Sequence, residues 1–137
     1  MAEPAKILLV DDDPIFVEAT RTILESQYRV ITAHDGEEGL EKARKEKPDL
    51  ILLDIIMPAK DGFHVCRQLK KDRQLANIPV IILTSFTQHR GETNIPIAAG
   101  LELEAEGYVE KPVSPEELLK QVKRILEIIP AHLSGKA

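Results

Sequence analysis

Leu50-Ile51-Leu52-Leu53 is an unbroken apolar run that ends on a single carboxylate, Asp54. Pro48-Asp49 precedes it, and Met57-Pro58 and then Asp61-Gly62 follow it. A fully apolar run this short, with turn residues on both sides, reads as a strand of a parallel sheet. Such strands are covered on both faces and so lose the alternation of polar and apolar residues. The acid at the tip then stands at the carboxyl edge of the sheet, where open α/β sheets bind ligands.

The rest of the chain repeats this unit. Lys6 to Val10 (KILLV) is a second apolar run, stopped by Asp11-Asp12-Asp13-Pro14. Asp13 before Pro14 predicts a helix start, a capping carboxylate followed by proline at the first helical position. Phe16, Thr20, Ile23 and Leu24 recur at helical spacing, so this helix should run to about Ser26. Tyr28 to Ala33 (YRVITA) is rich in β-branched residues and predicts a strand, and Asp35-Gly36 turns the chain. Glu37 to Glu46 predicts a helix that turns Leu40, Ala43 and the stem of Arg44 inward; cations crowd its end, and Pro48 stops it. Gly62 to about Arg73 predicts a third helix with Phe63, Cys66 and Leu69 on one side.

Val80 to Leu83 (VIIL) is another buried run, ending at Thr84-Ser85. From Phe86 to Glu106 no clean period holds, because Gly91, Pro96 and Gly100 interrupt it; a short helix fits only Ile97 to Leu103. Gly107 to Glu110 predicts a last strand, ending at Lys111-Pro112. Ser114-Pro115-Glu116-Glu117 is a helix N-terminus with a capping-box pattern. Leu118, Val122, Ile125, Leu126 and Ile129 give the clearest amphipathic stripe. The alternation of strands and helices predicts an α/β fold, a parallel sheet with helices on both faces. One domain is expected over residues 5–130, then a tail at 131–137 and no output domain.

The carboxyl edge of that sheet would gather Asp11, Asp12, Asp54, Thr84 and Lys111. Carboxylates brought together repel one another unless a cation joins them, and an oxygen-only set of this kind suits Mg²⁺. Lys111 supplies a movable point charge for a carboxylate or a phosphoryl oxygen, and Thr84 supplies a hydroxyl donor. A carboxylate is also a nucleophile toward phosphorus, and phosphoryl transfer asks mainly for positioning and neutralised oxygen charge.

Asp11-Asp12 after a first strand, Asp54 in the string D-I-I-M-P-A-K-D-G, Thr84-Ser85 after a fourth strand and Lys111-Pro112 after a fifth closely resemble the receiver domain of two-component response regulators. The likeness covers residues 6–129 and is to the single-domain, chemotaxis-regulator-like form. It implies a flavodoxin-like (βα)5 sheet with strand order 2-1-3-4-5 and an irregular, extended fourth helix region between Thr84 and Tyr108. It implies Asp54 as phosphoacceptor and a Mg²⁺ site made by Asp11, Asp12, Asp54 and the backbone carbonyl of Ile56. It implies Thr84 as switch hydroxyl, Lys111 as the phosphoryl-binding lysine, Ser85 as the small residue beside the phosphoryl group, and a cis bond between Lys111 and Pro112. Tyr108 matches the aromatic switch position, although a strand tyrosine is also common as plain core packing. The implied partner is a sensor histidine kinase or histidine phosphotransfer protein. Output would pass by phosphorylation-dependent protein contacts, by relay, or through a phosphorylation-dependent dimer. Such a chain is a regulatory phosphoacceptor that assists its own phosphorylation and dephosphorylation, not a conventional enzyme.

Other readings fare worse. An aspartyl-nucleophile phosphatase would carry a second Asp two residues past Asp54, where this chain has Ile56. A receiver reduced to a constitutive interaction module would have lost acceptor residues, and none is missing. Asp13 reads as a cap only, Cys66 as a small buried hydrophobe, and His34, His64, His89 and His132 show no ligand spacing. A net charge of −5 without a basic run argues against nucleic acid, and no apolar stretch approaches the length of a membrane span. The N-terminus lacks signal-peptide order and one cysteine excludes an internal disulfide, so the expected location is the cytoplasm.

Overall fold

The computed structural model describes residues 4–54, 62–84, 105–111 and 114–128. The described elements are β1 (Lys6–Val10), α1 (Pro14–Leu24), β2 (Arg29–Ala33), α2 (Gly36–Glu46), β3 (Leu50–Asp54), α3 (Gly62–Lys71), β4 (Val80–Thr84), β5 (Gly107–Glu110) and α4 (Pro115–Ile128). The strands form one sheet in the order β2-β1-β3-β4-β5, as the resemblance implies. Every pair is parallel, with Val10 beside Leu53, Asp54 beside Leu83 and Thr84 beside Glu110. All the carboxyl ends therefore lie along one edge.

Strand side chains alternate between two apolar layers. Ile7, Leu9, Leu50, Leu52, Ile81, Leu83 and Val109 pack with Val17 and Leu24 of α1 and with Leu118, Val122 and Ile125 of α4. Leu8, Val10, Ile51, Leu53 and Ile82 pack on the opposite face with Leu40 and Ala43 of α2 and with Val65, Cys66 and Leu69 of α3. Helix α2 approaches β1 closely at Gly39, where a Cβ would come within 3.0 Å of Val10 Cγ2.

The helix starts follow local chemistry. Asp13 Oδ1 accepts from the N–H groups of Ile15 and Phe16, and Asp35 Oδ1 accepts from that of Glu38. Glu38 reaches back to accept from the His34 N–H at 2.7 Å, which makes a reciprocal cap for α2. That hydrogen bond, ahead of the charge of Lys42, holds the Glu38 carboxyl below its ordinary range. Ser114 Oγ accepts from Glu117 N–H at the start of α4. Helix α2 ends on Lys47 in the left-handed region, with φ 47°.

Several expectations need correction. Helix α1 stops at Leu24, short of Ser26; it buries Thr20 and Leu24 together with Val17, and Phe16 and Ile23 are partly covered. Arg44 does not lay its stem inward; it is exposed and pairs with Asp72 at 3.6 Å. In α3 Cys66 and Leu69 are buried as expected, Val65 is buried with them, and the helix ends at Lys71. The Phe63 side chain, the 86–104 segment, Ile129, Pro112 and the 131–137 tail lie outside the described residues.

The amino edge of the sheet is tied by two acids with no part in the apolar pattern. Asp49 is buried, and its Oδ2 accepts from the Lys6 N–H at 2.7 Å. Glu106 Oε1 accepts from the Val80 N–H at 2.7 Å and from Lys70 Nζ at 2.9 Å. Replacing Asp49 with Ala strips a partly buried N–H of its acceptor, which costs about 1–3 kcal/mol. Urea unfolding should show the corresponding drop in midpoint, while Asp49→Asn, whose carbonyl can accept the same bond, should keep most of the stability. Equal midpoints for Asp49→Ala and the wild type would show the tie to be worthless.

Candidate functional site

Continuing the strand alternation one step past the apolar layer sets the site. Asp11 follows Leu9 in parity, Asp54 follows Leu52, and Lys111 follows Val109, so all three carry on the face that packs against α1 and α4. Their functional groups meet. Carboxylate oxygens of Asp11, Asp12 and Asp54 lie within 4.8 Å of one another. Asp11 is 1% and Asp54 4% exposed, whereas Asp12 is open to solvent.

Asp11 is fixed on three sides. Its N–H donates to Ala33 O at 3.1 Å, its Oδ1 accepts from the Asp13 N–H at 2.9 Å, and its Oδ2 accepts from Lys111 Nζ at 2.6 Å. Lys111 Nζ also reaches Asp54 Oδ2 at 3.4 Å. Burial alone would lower the lysine's pKa, but the hydrogen bond to Asp11 and the charges of Asp54 and Asp11 outweigh it, so the ammonium is held above its ordinary value. Asp13 serves as the α1 cap, as expected.

Among the described residues one ammonium meets three carboxylates, two of them buried, so the acids are in excess of their cation. Hard oxygen donors with this excess charge fit a small divalent cation such as Mg²⁺, which binds through few carboxylates and keeps several waters. Among the described residues this is the one group of acids, histidines and cysteine with metal-ligand spacing.

Other expected site residues are placed less closely. Thr84 closes β4 one residue past Leu83, the register partner of Asp54, but its side chain lies outside the described residues. Ile56 and Ser85 lie outside them as well. Tyr108 lies on β5 opposite Ile82 and is 39% exposed, so it is not buried in the core. Burial, with Cys66 and Glu106 nearby, raises its phenol above the ordinary value, which keeps it neutral. Cys66 is buried, as its reading as a small hydrophobe requires.

One neighbour of the site was missed. Lys111 Nζ stands over the Phe16 ring, 4.1 Å from its centroid. Phe16 packs partly against the α1 and α4 layer, and on the first turn after the Asp13 cap it also sits beside the carboxyl edge. Its closeness to that cap was the available signal. No described helix is long and apolar enough to cross a membrane.

Comparison with known proteins agrees with this geometry. Residues 7–123 match the response regulator receiver domain family. The alkaline phosphatase synthesis transcriptional regulatory protein PhoP of Bacillus subtilis is 45% identical over 122 residues, 88% of this chain and 48% of PhoP, so the chain spans about half of that relative. PilH of Pseudomonas aeruginosa is 40% identical over 123 residues, 89% of this chain and 98% of PilH. The solved receiver domain of a Pseudomonas aeruginosa PAO1 sensor histidine kinase, which has a magnesium ion coordinated in its active-site cleft, superposes with a TM-score of 0.78 at 28% identity, covering 90% of this chain and 98% of that one. With its parallel sheet ordered 2-1-3-4-5 and its acids and lysine gathered at the carboxyl edge, the chain belongs to the response regulator receiver domain family of two-component signalling.

Proposed function

We propose that Asp54 is the phosphoacceptor of this receiver and that its donor is the phosphohistidine of a sensor histidine kinase or histidine phosphotransfer protein. The observation that carries this reading is the convergence of Asp11, Asp12 and Asp54 with Lys111 bonded to two of them. A carboxylate oxygen of Asp54 forms the new O–P bond while the N–P bond of the donor breaks, and the imidazole nitrogen keeps the bonding pair. Lys111 turns from Asp11 toward the arriving phosphoryl oxygens, a short swing because both acids are already in its reach.

Mg²⁺ would be held by Asp11, Asp12, Asp54 and the Ile56 carbonyl, and when bound it supplies neutralisation of phosphoryl-oxygen charge. The magnesium-bearing relative supports that choice of ion. Thr84 donates its hydroxyl to a phosphoryl oxygen, and Tyr108 turns inward in response. The signal leaves by protein contacts, by relay or through a phosphorylation-dependent dimer. The same pocket assists both its own phosphorylation and the later loss of the group. An ATP-fed kinase as donor places the exchange in the cytoplasm.

Incubation with acetyl phosphate and Mg²⁺ should add the mass of one phosphoryl group to the intact protein. EDTA or Asp54→Ala should abolish the gain, and uptake by Asp54→Ala equal to wild type would sink the assignment. The excess charge gives a second check. In EDTA, Asp12→Asn removes one like charge and leaves both Lys111 bonds, so it should gain about 1 kcal/mol of stability. Mg²⁺ should then raise the melting temperature of the wild type more than that of Asp12→Asn. Melting curves of both proteins that ignore Mg²⁺ would count against a cation in this pocket.

A further inference from the structure

Among the described residues the Lys111 ammonium has three immediate neighbours: Asp11 Oδ2 at 2.6 Å, Asp54 Oδ2 at 3.4 Å and the Phe16 ring, whose centroid is 4.1 Å away. Two of them are carboxylates of the site itself. The third comes from α1 and has no role in metal binding or in the chemistry on Asp54. A lysine carries a compact, strongly hydrated charge on a flexible stem. Only 15% of this side chain remains exposed. An ammonium over an aromatic face is attracted by the ring quadrupole out to about 6 Å from the centroid.

We propose that Phe16 is a positioning residue for phosphoryl transfer, holding the Lys111 ammonium at the sheet edge while it passes from Asp11 to the phosphoryl group. This rests on the assignment of Asp54 as acceptor and Lys111 as its partner. The hydrogen bonds of Lys111 are directional, so the one to Asp11 must loosen before the ammonium can serve a group on Asp54. At that moment hydration draws the lysine toward solvent. Attraction to the ring face is broad and does not depend on which oxygen is bonded, so the ring keeps hold of the charge through the exchange. An aliphatic residue of similar volume would fill the same space against the α1 layer and lack this hold.

The contrast between Phe16→Leu and Phe16→Tyr isolates the ring face. Leu keeps the apolar packing, and Tyr keeps both packing and π face. Phosphorylation by acetyl phosphate with saturating Mg²⁺ is followed by intact mass, and the Lys111 ε-proton shifts are followed by NMR. Phe16→Leu should lose the ring-current displacement of those protons, and its maximal phosphorylation rate should fall about three- to tenfold with KM unchanged. Phe16→Tyr should keep the displacement and a rate within about twofold of wild type. A wild-type rate in Phe16→Leu, or an equal fall in both variants, overturns the proposal. A measurement on the wild type alone gives a further decision. With Mg²⁺ and beryllofluoride as a phosphoryl mimic, the Lys111 ε-protons should keep their ring-current displacement, and its disappearance also overturns the proposal. If wild-type Asp54 takes up no phosphoryl group, the acceptor assignment fails, while the ring-current displacement still reports on the contact itself.

Discussion

Like charges forced together at one sheet edge are what the rest of the molecule has to accommodate. Parallel register brings the ends of β1 and β3 side by side, so Asp11 and Asp54 cannot avoid each other. Lys111 offsets part of that repulsion from the far end of the chain, 100 residues beyond Asp11. It reaches the pocket only because β5 pairs with β4. Completing the sheet and balancing its charge are therefore one event, and among the described residues the acids stay in excess. A buried lysine ordinarily loses its proton more easily; here the adjacent acids reverse the direction, so the ammonium stays charged.

The two edges of the sheet use acidic residues in opposite ways. At the amino edge, Asp49 and Glu106 each accept from a backbone N–H that begins a strand, and Lys70 pairs with Glu106. These acids are matched and hold the strands in register. At the carboxyl edge the acids outnumber their cation among the described residues, which suits a cationic ligand.

Most of the sheet could be read from the chain because fully apolar runs flanked by Pro, Asp and Gly leave few alternatives. The strand ends at Asp54 and Lys111 were legible for the same reason, and the helix caps Asp13 and Ser114 follow from short-range chemistry, whereas Asp35, read only as a turn residue, caps α2. What escaped depends on remote partners. Asp49 meets Lys6 at a separation of 43 residues and Glu106 meets Lys70 at 36, and no local period marks either. An acid directly before a wholly apolar strand, as Asp49 is, was the clue. The contact of Phe16 with Lys111 escaped as well, because a first-turn residue can fit the helical stripe and also meet the sheet edge. Arg44 failed for another reason: its stem could cover apolar surface, but Asp72 on the neighbouring segment draws the guanidinium outward.

The strand order also leaves β2 and β5 as the two ends of the sheet, each paired to a single neighbour. An end strand carries a row of backbone donors and acceptors that another chain could adopt as a template. Both ends here are short, five and four residues, and each carries an exposed charge, Arg29 on β2 and Glu110 on β5. Little length is offered for an incoming strand, and pairing would bring it against a charge. Both sheet ends are thereby poor templates for edge-to-edge pairing with another strand.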